Sequence, residues 1–332
     1  MIITRTPFRM SFFGGGTDMP EFFNEYGGSV ISTTFDKYCY VTARHLPPFF
    51  DYSNELVYSR IERVKNPSEI NHPAVRNAMA MLDMQEMRIS YEADLPARSG
   101  LGTSSSFAVG MLNAFHCMKG TYASKERLAK EAIELERDLC AEVGGWQDQI
   151  AAAYGGLNRI DFNDNHFTVR PIVISPERKL KLESNLMLFF TGFTRFSSDM
   201  QKNNRIVDKT ALLKEMLALV DVAENVLTDK SKNLDEFGRL LDTTWKLKVG
   251  TGSQVSTGPI DVLYERAMKA GALGGKLLGA GGGGFLVFYV EPDAQESVRE
   301  ALIDLLYIPF CFEGDGATVV YYSPENYDLK EA

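Results

Sequence analysis

Leu95-Pro96-Ala97-Arg98-Ser99-Gly100-Leu101-Gly102-Thr103-Ser104-Ser105-Ser106 is the stretch on which the architecture of the chain turns. Two glycines flank a leucine, small hydroxyl residues come next, and a run of small and apolar residues extends from Phe107 to Met118. Glycines let a backbone turn tightly and approach a ligand closely. Thr103 or Ser104 is placed to cap the helix that this run implies. The first turn of a helix presents N–H groups and the positive end of the helix dipole. The pattern therefore predicts an anion site, most often one for phosphate. A plain loop before a capped helix has the same local sequence, so the rest of the chain has to separate the two.

The 332 residues predict roughly two domains of about 150 residues each. With 45% hydrophobic and 24% charged residues the chain can bury a sizeable core and is not a disordered one. The net charge of −9 gives no electrostatic footprint for nucleic acid or an anionic membrane, so any anionic substrate has to be held by local donors. Cys39, Cys117, Cys140 and Cys311 show neither zinc-ligand nor redox spacing and read as free thiols of a reducing cytoplasm. The four histidines form no pair at helical ligand spacing. The N-terminal residues contain no signal-peptide pattern, and the apolar stretch Phe285–Val290 is too short to span a bilayer, so a cytoplasmic protein is expected.

Two more glycine turns accompany the first. Pro7-Phe8-Arg9-Met10-Ser11-Phe12-Phe13-Gly14-Gly15-Gly16-Thr17-Asp18 reads as a strand of period two that ends in a triple-glycine turn with an acid beyond it. Lys276-Leu277-Leu278-Gly279-Ala280-Gly281-Gly282-Gly283-Gly284 precedes a short apolar strand, 285–290. Gly279, Gly281 and Gly284 match the dinucleotide fingerprint as a string. That fingerprint requires a strand before it and a helix after it, and here a strand comes after it. Neither a P-loop nor the protein-kinase motifs occur. Between the turns, Ser124 opens a helix whose Glu136 is not obviously on its polar face. Gly144-Gly145-Trp146-Gln147-Asp148 places Asp148 in the first turn of a short helix that Gly155-Gly156 ends. Helices are expected over 73–81, 209–228, 234–249, 259–269 and 294–306, strands over 29–44, 87–92, 157–175, 185–191 and 317–322, and a domain boundary at Ser175–Arg178.

Three glycine turns in this order resemble the three motifs of the GHMP small-molecule kinases, and the resemblance covers essentially the whole chain. It implies an α+β fold of two domains: residues 1–175 as an ATP-binding domain resembling a domain of ribosomal protein S5, and residues 176–332 as a ferredoxin-like domain, with the active site between them. It implies ATP and Mg²⁺ as cofactors. Gly100, Leu101, Gly102, Thr103, Ser104, Ser105 and Ser106 would cradle the ATP phosphates. Ser104, with Thr103 as competitor, and Glu136, which stands 12 positions before Asp148, would hold Mg²⁺, a cation suited to few protein carboxylates. Asp148 resembles the catalytic acid facing the acceptor hydroxyl, and Arg9 the basic residue beside it that stabilises the transferring phosphoryl group. Asp148 either takes the proton or positions the nucleophile, and phosphoryl transfer accommodates both.

The acceptor is expected at Gly15, Gly16, Thr17 and Asp18, with Gly281 and Gly282 of the third turn. In galactokinases the first turn reads Gly-Glu-His-Thr-Asp. Here Gly15 and Gly16 replace the Glu and His, which removes galactose contacts and enlarges the pocket. The triple glycine, His72-Pro73-Ala74-Val75-Arg76, Gln147-Asp148-Gln149 and Thr191–Ser198 resemble the branch that phosphorylates the C1 hydroxyl of D-glycero-D-manno-heptose 7-phosphate on the route to GDP-heptose. Arg195, with Ser197 and Ser198, would hold the sugar phosphate, since a guanidinium binds phosphate through two bonds; Lys202 and Arg205 are alternates. An adenine pocket near residues 50–76 is implied by the resemblance alone. The expected partners are a sugar phosphate and ATP, with no nucleic acid, no membrane and a possible homo-oligomer. A kinase of the same superfamily with another acceptor, and an inactive sugar- and nucleotide-binding regulator, are the alternatives; Asp148, Glu136, Arg9 and Ser104 weigh against the second.

Overall fold

The computed structural model describes residues 1–97, 99–192, 209–252, 255–279 and 281–324. In chain order the first half comprises β1 (Ile2–Phe13), α1 (Pro20–Tyr26), β2 (Gly28–His45), β3 (Asn54–Val57), β4 (Ile61–Val64), α2 (Pro73–Met81), β5 (Met87–Ala93) and α3 (Thr103–Met118). It continues through α4 (Lys125–Ile133), α5 (Gln147–Tyr154), β6 (Asn158–Asn163) and β7 (His166–Pro171). The second half comprises α6 (Pro176–Ser184), β8 (Leu186–Phe190), α7 (Thr210–Thr228), α8 (Asp235–Gly250), α9 (Gly258–Lys269), β9 (Gly274–Leu277), β10 (Phe285–Tyr289), α10 (Gln295–Ala301), β11 (Leu306–Ile308), β12 (Phe312–Glu313) and β13 (Thr318–Tyr322).

Among the described residues nine strands form one sheet and four form another. The long strand β2 organises the first: β1 runs antiparallel along it, its start pairs with β6 and its end with β5. The second sheet is antiparallel, in the spatial order β11-β8-β10-β9. Its strands and helices have the β-α-β-β-α-β plan of ferredoxin-like folds, with additional helices in the first crossover. This is the expected α+β architecture. The chain's last strands return to the first sheet, β12 on β2 and β13 on β1, so residues 312–322 lie with the first half in space.

Helix α3 is buried nearly all round, which a helix that is apolar on every face requires. Gly110 lets it lie close to β1: a side-chain carbon there would stand 2.7 Å from the Thr6 hydroxyl. The Thr4 hydroxyl donates to the Gly110 carbonyl at 2.8 Å and the Ser106 hydroxyl to the Pro7 carbonyl at 2.9 Å. One apolar core continues from β1 and α3 to α7, α8, β8 and β10. Phe237 of α8 is its joint, meeting Phe12 and Phe13 edge-on at ring distances of 5.2 and 5.1 Å. A separate cluster, with Phe189, Trp245, Leu263 and Phe288, covers the other face of the second sheet.

At Ser175–Arg178, where the domain boundary is expected, α6 opens: the Ser175 hydroxyl accepts from the Arg178 N–H and Pro176 takes the first turn. Two local expectations change. Neither Thr103 nor Ser104 caps α3; Gly102 stands at that position in the left-handed region, φ 72°, and no side chain caps the first turn. The helix expected over 294–306 ends at Ala301, and Leu306 begins β11 because β8 offers it an open ladder. Phe237→Ala empties the joint between the two sheets and is expected to cost about 3–5 kcal/mol in urea unfolding. A loss below about 1 kcal/mol would mean that the two halves do not depend on this contact.

Candidate active site

The middle of β1 runs against the 99–106 loop, and Arg9 meets it there. The Arg9 guanidinium holds Asp148 through two bonds, Nε to Oδ1 at 2.6 Å and Nη2 to Oδ2 at 2.9 Å, and its Nη1 donates to the Gly100 carbonyl at 2.7 Å. The Arg9 N–H donates to the Leu101 carbonyl at 3.1 Å. Arg9 is buried, while the Asp148 side chain keeps 29% of its surface exposed. A side-chain carbon at Gly102 would stand 3.3 Å from the Asp148 carboxyl. Arg9, Asp148, Gly100, Leu101 and Gly102 therefore converge, with the start of α3 beside them. A fork-to-carboxylate pair of this kind fixes the orientation of both planes.

The loop is held from the other side by the third glycine turn. A carbon at Gly100 would stand 2.4 Å from the Leu278 carbonyl oxygen, and one at Gly284 would stand 2.1 Å from that of Ser99. Gly281 packs on Val255, and the Gly282 N–H donates to the Val255 carbonyl at 3.3 Å. Gly281 and Gly282 thus pack the third turn against Val255.

The first turn brings Asp18 to the same place. Its carboxylate accepts from the Gly16 N–H at 2.9 Å and the Gln147 N–H at 3.2 Å. Gly145 is glycine because a side-chain carbon there would stand 1.8 Å from Asp18 Oδ2. Burial pushes the Asp18 carboxyl above its ordinary range, and the charge of Asp148 adds to this against the two backbone bonds. Thr17 departs from its expected role: it is buried, and its hydroxyl is committed to Gly14 O and to the Ser29 backbone, so it shapes the turn. Gly15 and Gly16 also differ. At Gly15 a side-chain carbon would meet just Ser11 Oγ at 3.7 Å, which leaves room. Gly16 has φ +101° and Leu213 at 3.0 Å, so the backbone and α7 require glycine there.

Glu136 is buried at the foot of α3. The helix α4 widens into a π-helical stretch, Glu134–Leu139, which turns both Leu135 and Glu136 inward. Oε2 accepts from the Ser105 hydroxyl at 2.6 Å and from the Gln149 amide at 2.5 Å. Burial pushes this carboxyl up to about 7, although bonds from Ser105, Gln149 and Ser104 pull the other way. Ser104 is exposed at the start of α3 and Ser105 is buried, so Ser105 supplies the firmer bond to Glu136. The Ser106 hydroxyl is spent on β1. A buried carboxylate flanked by hydroxyls fits a hard cation. Among the described residues no group of three or more His, Cys, Asp or Glu could hold a metal, so Mg²⁺ here would complete its shell with water or phosphate oxygens.

Arg195, Ser197 and Ser198, with the alternates Lys202 and Arg205, lie outside the described residues. In the region expected for adenine, the His72 ring stands edge-on to Tyr58 at 5.3 Å and to Phe107 at 5.5 Å. Sequence reasoning missed Gln147, Gln149 and Lys276. The two amides flank Asp148 and were visible in the Gln-Asp-Gln motif; Gln147 accepts from Ser11 Oγ at 3.1 Å. Lys276 is fully buried and donates to the Phe12 carbonyl at 2.9 Å.

The Glu136 shift fixes the sign of a stability change. Between the ordinary value of 4.5 and about 7 the folded chain holds a proton that the unfolded chain has released, so stability falls as pH rises through that window. Glu136→Gln removes this slope. In thermal unfolding of the metal-free protein, the variant's advantage over wild type is expected to be larger at pH 8 than at pH 5. An equal difference at both pH values would contradict the buried, proton-holding carboxyl.

Comparison with known proteins shows the family of the chain. The GHMP kinases N terminal domain matches residues 69–156 and the GHMP kinases C terminal domain residues 220–308. D-glycero-alpha-D-manno-heptose 7-phosphate kinase of Campylobacter jejuni is 29% identical over 317 residues, which cover 91% of this chain and 93% of that one. A galactokinase of Pyrococcus furiosus is 23% identical over 91% of this chain and 92% of its own. The crystal structure of a D-glycero-D-manno-heptose 1-phosphate kinase from Bacteroides thetaiotaomicron superposes with a TM-score of 0.78 at 25% identity, covering 97% and 99% of the two chains. Among the described residues no helix is long and apolar enough to cross a membrane. With both family domains matched in order across the two sheets, the chain belongs to the GHMP kinases and is a phosphotransferase that acts on hydroxyl acceptors.

Proposed function

We propose that this kinase transfers the terminal phosphoryl group of ATP to the anomeric C1 hydroxyl of D-glycero-D-manno-heptose 7-phosphate, giving the 1,7-bisphosphate toward GDP-heptose. The observation that carries the reading is the fixed Asp148 carboxylate between two turns of different character: the Gly100–Gly102 loop that opens α3, and the Gly14–Asp18 turn. The first offers the backbone of a helix N-terminus to phosphates. The second offers Asp18 and open space over Gly15 to a bulky polyol. The heptose reading is supported by the Campylobacter relative and by the heptose kinase structure.

On this reading Asp148 faces the acceptor hydroxyl and orients it, and one carboxylate oxygen can take its proton. Arg9 holds that carboxylate in place and lends positive charge to the transferring group. Asp18 receives hydroxyls of the sugar. The N–H groups of the first turn of α3, with Ser104, receive the ATP phosphates. Glu136 and the Ser104–Ser105 hydroxyls would hold Mg²⁺, which would neutralise charge on the phosphate oxygens. The long arms of both substrates are thereby fixed by backbone, and the reacting ends by one ion pair.

ATP turnover against heptose 7-phosphate, heptose 1-phosphate, hexose phosphates, galactose and mevalonate tests the acceptor. The highest kcat/KM is expected with heptose 7-phosphate, and turnover with galactose alone would overturn the heptose reading. Asp148→Asn should lower kcat by about 100-fold or more while ATP still binds; near wild-type activity would refute its role. Gly15→Glu fills the open space and should raise the acceptor KM without lowering thermal stability, whereas an unchanged KM would place the acceptor elsewhere.

A further inference from the structure

β1 pairs with β2 with one register shift between Pro7 and Phe8 and a second after Ser11, which stands opposite Ser32 while Phe13 stands opposite Ile31, so Phe12 is the extra residue of a β-bulge. A bulge bends its strand and re-aims the residues beyond it. Here those residues form the Gly14–Asp18 turn. The Phe12 carbonyl at this bulge accepts from Lys276 Nζ at 2.9 Å, across 264 positions of sequence. Lys276 belongs to β9, where it stands opposite Val287 of β10.

Lys276 is an expensive way to fill this space. It is 1% exposed, and its ammonium makes no ion pair among the described residues. Lys248 and Arg9 repel it and Asp18 attracts it; burial, the largest influence, holds its pKa well below the usual lysine value. A methionine would pack the same stem without desolvating an amine. Two residues further on, Leu278 is the backbone against which Gly100 closes. The end of β9 thus touches both loops of the site, the first turn through Lys276 and the 99–106 loop through Leu278.

We propose that Lys276 is the positioning residue of the acceptor side: by donating to the Phe12 carbonyl it fixes the bulge that aims the Gly14–Asp18 turn, and with it Asp18, toward Asp148. This rests on the functional reading in which the turn faces the acceptor. Lys276 touches neither substrate and acts through the backbone of β1.

The test compares wild type with Lys276→Met and Lys276→Arg by two measurements. Amide hydrogen exchange of the protein without substrates reads the turn directly. Lys276→Met should speed exchange over residues 13–18 by about tenfold or more while residues 99–106 keep their wild-type rates. Steady-state kinetics with ATP and the best acceptor of the panel should then show an acceptor KM raised about 10- to 100-fold with the ATP KM held within about twofold. Lys276→Arg, which keeps N–H donors, should lie nearer wild type on both. Unchanged exchange over 13–18, or equal rises in both KM values, would overturn the proposal. If no acceptor is turned over by wild type, the functional reading fails and the exchange arm still decides whether Lys276 holds the turn. Should Lys276→Met not fold, Lys276→Gln is read by the same two measurements.

Discussion

The site depends on how closely three stretches of backbone approach one another. The Ser99 carbonyl lies where a side chain at Gly284 would be, and the Leu278 carbonyl lies where one at Gly100 would be. No residue with a Cβ can replace either glycine without moving backbone, and both sit at positive φ, where side chains add strain. This contact seats the loop between β5 and α3 on the turn between β9 and β10. Seated there, the Gly100 carbonyl receives the Arg9 guanidinium, and Arg9 in turn grips Asp148. The loop, the first strand and helix α5 are then one rigid corner, built from atoms that every residue has and completed by two charged side chains.

The charges in that corner are arranged to be uneven. Arg9 is matched by Asp148, but Asp18 and Glu136 are buried carboxylates without a cationic partner in bonding distance among the described residues, and Lys276 is a buried amine without an anionic one. Groups left in that condition cost stability, and proteins concentrate them at functional sites. In a chain with a net charge of −9, local donors do what a global field cannot. Asp18 and Glu136 are steadied by N–H and O–H groups of their own neighbourhood, from Gly16, Gln147, Ser105 and Gln149. These acidic groups are thus oriented before any ligand arrives, which is what the proposed transfer of a phosphoryl group by positioning requires.

Much of this was legible in the residues, for definite reasons. Helix α2 begins and ends where Pro73 and Met81 suggested because its periodicity and its proline act locally. The pairing of Arg9 with Asp148 was implied by the family resemblance. The features that stayed hidden depend on long-range contact. The π-helical stretch that turns Glu136 inward has no local signature, since its sequence reads as ordinary α-helix. Gly16 and Gly15 look alike in sequence and differ because Leu213 of α7 covers one and not the other. Leu306 reads as the end of a helix until β8 is there to pair with it. Lys276 reads as the opening of a glycine turn, and the fold alone places it in β9 against a carbonyl at a bulge.

The central claim is that the hydroxyl facing Asp148 receives the phosphoryl group. Phosphorus NMR of the product formed from ATP and heptose 7-phosphate tests it most directly. Transfer at the anomeric carbon predicts a new phosphorus signal coupled to the anomeric proton, beside the unchanged signal of the original phosphate. A new signal coupled to any other ring proton, or inorganic phosphate as the sole new species, would contradict it.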